Sequence, residues 1–361
     1  MKLAFLSSSA GWGGLERNLA RYARWMLELG HEVELHCIAG ARLHKHIAAT
    51  PMQLRTFERQ PRYFPFKAAA HLRVHLRRDE IDVLWIRDPR DLPLCSQAVQ
   101  GTQTRLLFHQ GMQILAPKQR LWHRRRFGQV AAWVAPLQHL KNQALANTPL
   151  QSSIVDVIPL ALEAEWFDRS KTRDAKHIWN VPKDAKVVGL FGRIDPLKGH
   201  TTLLRALGQL KDTNWHVLIV GENTPNASLD FQADLVRLAA ELGINERVHW
   251  RPPSEDLISA YDACNAYAMC SHSETIGMVT IEAMARKVPV IGTNAGGTPE
   301  LLDFGRQGTL VQPEDATALA DALRTLDACP IATDAHRSKF RKNSVLEKWS
   351  DRLAALRVSA S

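Results

Sequence analysis

The stretch HSETIGMVTIEAMARKVPVIGTNAGGTPELL, residues 272–302, carries two glutamates, Glu274 and Glu282, in a segment that otherwise has the pattern of a turn, a helix, a strand and a second turn. Its helical part is IGMVTIEAMARK. The apolar, β-branched run VPVIGT that follows is typical of a strand covered on both faces. The segment therefore predicts an α/β protein, in which a parallel sheet lies between two layers of helices.

The same alternation continues along the whole chain. In the second half the other predicted strands are VVGLF (187–191), WHVLIVGE (215–222), RVHWRP, NAYAMCS and GTLVQP, separated by helical patterns such as LDFQADLVRLAAELG (229–243) and SEDLISAYDAC, with Ser254 as its N-cap. In the first half they are KLAFLSS, HEVELHCIA, IDVLWIRD, TRLLFHQG, VAAWVAP and SIVDVIP, with a helix in GLERNLARYARWMLELG and a less regular connection over residues 40–80.

This order predicts two Rossmann-like, doubly wound domains. We expect residues 1–165 to form the first domain and residues 166–339 the second, with a helical tail at about 340–361 that could pack back on the first domain. A length of 361 residues suits two domains.

Composition and charge limit the classes of function. No apolar run approaches the roughly 18 residues that a membrane span needs, and the apolar stretch in MKLAFLSSSAGWGG is too short for a signal peptide, so a cytoplasmic protein is expected. The five cysteines contain no CxxC pair and are expected to be reduced. Residues 1–165 hold 22 Lys and Arg against 13 Asp and Glu, whereas the remainder holds 24 of each. The net charge of +9 therefore lies in the first half, which indicates an acidic partner there.

Candidate ligand-binding residues of the second half follow predicted strands, where parallel sheets bind ligands. Arg193 and Lys198 lie in GRIDPLKG, between a strand and a helix. Two cations beside a helix N-terminus suit a diphosphate, although each alone could be a solvated loop cation. Glu274 and Glu282 lie eight residues apart and could accept hydrogen bonds from the hydroxyls of one extended ligand. The alternative is one helix N-terminal acid and one surface acid. The amides of Gly277, Met278 and Val279 would face a phosphate between the two glutamates.

Two candidates lie in the first half. The stretch AGWGGLE fails the G-x-G-x-x-G dinucleotide pattern, because position 16 is glutamate. Its pair Gly13 and Gly14 would still allow a ligand to approach the backbone closely, or would simply form a tight turn. His109, at the end of TRLLFHQG, could donate to a ligand or act as a base, or could be structural.

A basic segment, PKQRLWHRRRFG (117–128), interleaves cations with aromatic side chains: Arg120, Trp122, Arg124, Arg125, Arg126 and Phe127. RYFPFKAAAHLRVHLRR (62–78) repeats this pattern. The combination favours an anionic membrane surface or a phosphorylated acceptor, and a solvated helix face is the alternative. Nucleic acid is not expected as a partner, because no recognised binding motif accompanies the charge.

Together these motifs resemble the retaining GT-B glycosyltransferases of glycosyltransferase family 4, the glycosyl transferases group 1. The resemblance rests on G-G-x-E-R at Gly13–Arg17, on His109 in FHQG, on G-R-x4-K-G at Gly192–Gly199, and on E-x7-E followed by A-M-A-x3-P-V-I-G-T and G-G-x-P-E at Glu274–Glu300. It covers essentially the whole chain and is strongest over residues 187–325.

The resemblance implies a role for each candidate. Glu274 would bind the donor sugar and Glu282 the nucleotide ribose, while Arg193 and Lys198 would hold the diphosphate. Gly13 and Gly14 would let the first domain approach that diphosphate, and His109 would reach the sugar. It also implies a cleft between the domains, closure on donor binding and retained anomeric configuration, with no metal or other cofactor.

The expected function is transfer of a hexose-type sugar from a nucleotide-diphosphate donor to a lipid-linked or saccharide acceptor. We expect UDP-sugars rather than GDP-sugars, a role in bacterial lipopolysaccharide or polysaccharide assembly, and peripheral attachment to the inner face of the plasma membrane. Thr275 and Ile276, and Arg251-Pro252-Pro253, depart from the usual family pattern, so the sugar and the nucleobase stay open. The alternatives are a nucleotide-sugar epimerase of the same fold and a non-catalytic binding protein for nucleotide sugars or lipids.

Overall fold

The computed structural model describes residues 1–58, 65–223 and 230–358. The chain forms two compact units. The first comprises Met1–Pro159 together with the chain from Glu347 onward, and the second comprises Leu160–Leu346. The arginine, tyrosine and phenylalanine at positions 62–64, which begin the second basic stretch of the sequence, lie outside the described residues.

The first unit contains a seven-stranded parallel sheet with the order β3-β2-β1-β4-β5-β6-β7. Its strands are β1 (Lys2–Ser7), β2 (Glu32–Ile38), β3 (Gln53–Phe57), β4 (Val83–Ile86), β5 (Arg105–His109), β6 (Val130–Ala135) and β7 (Val155–Val157). The helices between them are α1 (Gly14–Glu28), α2 (Arg42–Ile47), α3 (Phe66–Arg78), α4 (Leu92–Ala98), α5 (Leu121–Phe127) and α6 (Gln138–Asn147). Strand β4 is buried along its whole length, as expected of a strand with helices on both faces.

The second unit repeats the arrangement with a six-stranded parallel sheet in the order β10-β9-β8-β11-β12-β13. Its strands are β8 (Lys186–Phe191), β9 (Trp215–Val220), β10 (Val248–Arg251), β11 (Ala266–Met269), β12 (Val290–Thr293) and β13 (Thr309–Val311). Its helices are α7 (Glu165–Asp168), α8 (Ala175–Ile178), α9 (His200–Gly208), α10 (Phe231–Glu241), α11 (Leu257–Asp262), α12 (Met278–Ala285), α13 (Thr298–Leu301), α14 (Ala316–Arg324) and α15 (Asp334–Ser338). The predicted alternation of strand and helix is thus confirmed in both units.

The last helix, α16 (Lys342–Val358), begins in the second unit and continues into the first. There Trp349 is completely buried, and its ring lies 4.2 Å from that of Trp85 on β4 and 4.9 Å from that of His109. Arg352 pairs with Asp156 at 2.8 Å. The C-terminal part of this helix therefore completes the core of the first unit.

Two sequence predictions of local structure are wrong. Strand β3 was not anticipated, because its residues lack a clear apolar pattern. Helix α11 is capped by Asp256, whose carboxylate accepts a hydrogen bond from the Ser259 amide at 3.3 Å. The predicted cap, Ser254, instead accepts from the Asp256 amide at 3.2 Å in a preceding turn.

In each sheet the strand order reverses once, beside the first strand of the unit. The reversal lies between β1 and β4 in the first unit and between β8 and β11 in the second. In open parallel sheets the loops at the carboxyl ends of these two strands leave a crevice in which ligands bind. The loops that follow β8 and β11, together with helix α12 at the end of the second loop, carry the candidate residues of the second half. Among the described residues, no helix has the length and apolarity to cross a membrane.

Candidate active site

The loop after β8 is shaped by glycines whose backbone lies very close to neighbouring carbonyl oxygens. Gly199 has φ +75°, and a Cβ placed there would lie 2.0 Å from the carbonyl oxygen of Cys270, the residue after β11. A Cβ on Gly221 would lie 1.8 Å from the carbonyl oxygen of Gly192. The backbone between Gly192 and Gly199 is therefore held tightly against the ends of the neighbouring strands.

The two cations of this loop are presented differently. The Asp195 carboxylate accepts a hydrogen bond from the Leu197 amide at 3.0 Å, which forms a short turn before Lys198. Arg193 is exposed and makes no hydrogen bond or ion pair with any described residue. Lys198 is partly covered and points toward the end of β11. One guanidinium thus stays available to an anion, while the ammonium is already engaged.

Glu274 is the partner of that ammonium. Lys198 Nζ lies 2.6 Å from Glu274 Oε2, and the Ser271 hydroxyl donates to the same oxygen at 3.2 Å. The main chain of Glu274 is also fixed, because the Gly297 amide donates to its carbonyl oxygen at 2.8 Å. Gly296, with φ +59°, comes so close that a Cβ would lie 2.2 Å from that oxygen. The structure therefore brings together Lys198 and Glu274, which lie 76 residues apart in the sequence.

The second glutamate lies on α12, whose N-cap is Gly277 with φ +79°. The amides of Met278 and Val279 open this helix and have no acceptor within it. Glu282 is mostly buried rather than a surface acid, with 9% of its surface exposed. Its carboxylate has a buried neighbour in the Tyr261 hydroxyl, 3.0 Å from Oε2.

Tyr261 was not identified from the sequence. Its hydroxyl lies 2.9 Å from the carbonyl oxygen of Val279 as well as 3.0 Å from Glu282. Burial, followed by the charge of Glu282, holds the pKa of Tyr261 well above its usual value, so it is a neutral donor. Because a carboxylate has about four acceptor sites, Glu282 can accept hydrogen bonds from ligand hydroxyls as well as from Tyr261.

In the first unit, the glycine pair opens α1. The amide of Gly13 donates to the carboxylate of Glu16 at 2.7 Å, so this helix begins with an internal acceptor. A Cβ on Gly14 would meet nothing within 4 Å. Glu16, at the position where the dinucleotide pattern requires glycine, is therefore a buried acid that caps the helix. The space beside Gly14 is open.

His109 ends β5 and is fully buried. Arg87 Nη1 lies 2.8 Å from its Nδ1, and the ring packs edge-on against Tyr22 at 4.9 Å. Burial, and secondarily the charge of Arg87, lowers the pKa of His109 well below its usual range, so the ring is neutral. The contact of His109 with a donor sugar stays a prediction.

Arg87, after β4, and Asp91, at the start of α4, were also missed in the sequence. Arg87 is 2% exposed, and burial lowers its pKa to about 10. Asp91 is 1% exposed and accepts a hydrogen bond from the Ser8 amide at 3.0 Å, which ties the loop after β1 to the loop after β4. Burial raises the pKa of Asp91 to about 7. The sequence IRDPRD contains these residues, but a charged run of this kind is more often a solvated turn.

One residue of the predicted basic segment is wrongly assigned. Phe127 is buried, and its ring lies 5.7 Å from that of Trp133 in the core of the first unit, so it cannot contact a membrane or acceptor. It occupies the inner face of the short helix α5. The outer face carries Trp122, which is 51% exposed, and Leu121, which is 83% exposed. The four arginines of the segment are Arg120, Arg124 and Arg125, which are exposed, and Arg126, which is partly buried.

Comparisons with known proteins give consistent results. Residues 171–345 match the family model described as glycosyl transferases group 1, and residues 12–166 match that of glycosyltransferase family 4. A D-inositol 3-phosphate glycosyltransferase of Mycolicibacterium smegmatis is 36% identical over 217 residues, which are 58% of this chain and 48% of that protein. The chain thus spans about half the length of the curated relatives it matches.

Solved structures resemble the whole chain. A glycosyltransferase from Rickettsia africae has a TM-score of 0.86 at 20% identity and covers 98% of both chains. The Anabaena protein Alr3699/HepE in complex with UDP has a TM-score of 0.85 at 22% identity, covering 98% of this chain and all of its own. The lipopolysaccharide outer core galactosyltransferase WaaB has a TM-score of 0.72 at 16% identity and covers 98% of this chain and 99% of its own. At these identities the likeness is one of fold.

Proposed function

Because the chain belongs to the GT-B glycosyltransferases of family 4, with two Rossmann-like domains, we propose that it transfers a sugar from a nucleotide-diphosphate donor to a hydroxyl of a lipid-linked or saccharide acceptor, with retention of anomeric configuration. The observation that carries this proposal is the 2.6 Å contact between Lys198 and Glu274 at the end of β11. It places a cation suited to a diphosphate beside a carboxylate suited to sugar hydroxyls.

The donor would lie across the loops after β8 and β11. Arg193 and Lys198 would bind the two phosphates, and the amides of Met278 and Val279 would add donors from the start of α12. Glu274 would accept hydrogen bonds from the sugar. Glu282, fixed by Tyr261, would accept those of the ribose.

In the reaction, the bond between the anomeric carbon and the diphosphate oxygen breaks ahead of bond formation to the acceptor. Negative charge develops on the leaving phosphate, and the two cations stabilise it in place, which is the preorganised electrostatic effect that commonly dominates enzyme catalysis. We propose front-face transfer. The acceptor hydroxyl attacks from the side the diphosphate leaves, and its proton passes to the departing phosphate oxygen.

We favour UDP-sugars as donors. The support is by likeness alone: the related Anabaena protein forms complexes with UDP and with UDP-glucose. The nearby residues Arg251, Pro252 and Pro253 depart from the family pattern, so the nucleobase needs a direct test. The fold-level likeness to WaaB supports the proposal of a bacterial lipopolysaccharide or polysaccharide pathway. The cytoplasmic location is a proposal that this likeness does not address.

The proposal is tested with a panel of UDP-, GDP- and ADP-sugars. A donor present at 100 times its dissociation constant should stabilise the protein by about 2.7 kcal/mol, which thermal unfolding detects readily. Product analysis with the best donor follows. Transfer to an acceptor supports the proposal, whereas epimerised donor without acceptor, or binding without turnover, would assign the site to an epimerase or a binding protein.

We further propose that the first unit attaches peripherally to an anionic membrane surface. Leu121 and Trp122 project from α5 beside Arg124 and Arg125, which suits an interface where aromatic groups enter the headgroup region and cations pair with lipid phosphates. The protein should sediment with vesicles that contain phosphatidylglycerol. The double variant Leu121→Ser, Trp122→Ser should stay in the supernatant. Ile178→Ser, which removes a 54% exposed residue of the second unit, is the control. Equal retention of all three proteins would reject this surface.

A further inference from the structure

A cluster of metal-ligating side chains lies in the first unit, on elements that carry none of the proposed donor-binding residues. Glu34 and His36 alternate along β2 and therefore share one face of the sheet. Helix α3 covers that face and adds His75. One ligand atom from each of these three side chains lies within 4.8 Å of the other two. All three are largely buried, with 6%, 7% and 12% of their side chains exposed.

Both imidazoles point the same nitrogen at the same carboxylate oxygen. His36 Nε2 lies 2.7 Å from Glu34 Oε1, and His75 Nε2 lies 2.6 Å from it. The other ring nitrogen of His75 faces a second carboxylate, because Nδ1 lies 3.0 Å from Asp79 Oδ2. The His75 ring can meet these neighbours in three ways. It carries hydrogens on both nitrogens, or it accepts at Nδ1 from Arg78 Nη2, 3.3 Å away, and donates from Nε2, or Nε2 shares a cation with Glu34.

The surrounding groups have the arrangement of an outer coordination shell. Asp79 lies one helical turn after His75 and orients it, as carboxylates orient metal-bound histidines. Arg55 Nε donates to Glu34 Oε2 at 2.9 Å, and its Nη2 donates to Asp79 at 2.9 Å. The Arg55 guanidinium therefore hydrogen-bonds to Oε2 of Glu34, and Oε1 stays directed at the two imidazoles.

The cluster is also accessible from solvent. A cavity of about 360 Å³ between β3 and α3 is lined by apolar residues such as Phe57 and Leu72 and by the polar side chains of His36, Arg55, His71, His75 and Arg78. Two histidines and one carboxylate are the ligand set that leaves a fourth, tetrahedral position open to water or a ligand. Because His36 and His75 both line the cavity, the open coordination position of a bound metal ion would face it.

We propose that Glu34, His36 and His75 bind a divalent transition metal ion of the zinc class, with its open position facing this cavity. Nitrogen and carboxylate ligands without thiolates or many oxygens favour zinc over calcium or magnesium. The site is independent of the proposed sugar transfer, in which no metal is expected to take part. It would fasten β2 to α3, beside the edge strand β3.

The test uses the full chain without an affinity tag, freed of metal by a chelator. Titration with Co²⁺, followed by its visible absorption, should show one site of tetrahedral type, and Zn²⁺ should displace the cobalt stoichiometrically. His36→Gln and His75→Gln should each weaken zinc binding by more than about 100-fold, and Asp79→Asn by roughly 10–100-fold. His177→Gln, which replaces an exposed histidine on α8 of the second unit, should bind zinc like the original protein.

Several results would overturn the proposal. One is no cobalt spectrum in the original protein, and another is equal zinc affinity in His36→Gln and the His177→Gln control. If the histidine variants do not fold, as judged by circular dichroism, Asp79→Asn decides the question, because it leaves all three ligands in place. Unchanged zinc affinity in that variant would mean that the zinc is bound elsewhere and would reject this cluster as its site.

Discussion

Replacing Glu274 by glutamine should change donor turnover and nucleotide affinity in opposite directions. In the structure the ammonium of Lys198 is already paired with Glu274 at 2.6 Å, with 30% and 15% of the two side chains exposed. A diphosphate that binds Lys198 must compete with this carboxylate. Glutamine keeps the size of the side chain and removes its charge, so it weakens the competitor and also the contact to the sugar.

The magnitudes follow from the exposure of the pair. Partly exposed ion pairs are worth about 0.2–1 kcal/mol, so the nucleoside diphosphate product should bind Glu274→Gln about 1.4- to 5-fold more tightly. Turnover should fall, because a hydrogen bond to a charged group contributes about 1.5–3 kcal/mol, which is roughly 10- to 150-fold in kcat/KM. Lys198→Met should weaken diphosphate binding and reduce turnover by orders of magnitude.

The assay is calorimetric titration with the nucleoside diphosphate of the best donor, beside steady-state kinetics. Glu241→Gln provides the control, because it removes the same charge from an exposed position on α10 in the same unit. The gain in affinity should shrink at high salt, where exposed charges are screened. Weaker or unchanged diphosphate binding in Glu274→Gln would refute the idea that this carboxylate holds Lys198 away from the phosphate.

Three further predictions concern stability. Gly199→Ala should lower the free energy of unfolding by about 2–4 kcal/mol. The new Cβ would clash with the carbonyl oxygen of Cys270, and the positive φ is strained for alanine. Gly243→Ala, at φ +69° with nothing within 4 Å, should cost only about 1 kcal/mol in the same denaturant titration. Tyr261→Phe should cost about 1–3 kcal/mol and weaken donor binding, measured by thermal unfolding with and without donor, because the buried carboxylate of Glu282 loses the hydrogen bond that the Tyr261 hydroxyl donates. Burial lowers the pKa of His200 from 6.5 to about 4. As pH falls from 6.5 to 4, this histidine therefore takes up a proton in the unfolded chain before it does so in the folded protein. The free energy of unfolding drops by up to roughly 3 kcal/mol over that window. His200→Gln should reduce this dependence on pH, measured in urea titrations.

The sequence predicted the fold well where strands are buried on both faces. All six strands of the second sheet were anticipated, because runs such as VVGLF and VPVIGT combine β-branched residues with abrupt turns. Strand β3 was missed because its sequence, QLRTF, contains no apolar run. Its position at the edge of the sheet is not the reason, because the edge strands β7, β10 and β13 were anticipated.

The candidate site was predictable in part. Lys198 and Glu274 stood out because motif spacing reports which loops share the end of a sheet, and the structure places them in contact. Tyr261 and Arg87 carry no such signal, because a buried tyrosine or arginine is recognised only by its partners across the fold. Phe127 was misassigned because a seven-residue helix shows too few turns to separate its inner face from its outer one.

Helix α16 has a consequence for how the molecule is made. The first unit receives Trp349 against Trp85 only after the intervening 160–346 have been synthesised. During translation the hydrophobic interior of the first unit stays incomplete until Trp349 has emerged, and the ring of Trp85 lacks its aromatic partner until then. Folding of this unit is therefore coupled to synthesis of the second unit, and chains that stop before residue 349 would expose the indole ring of Trp85.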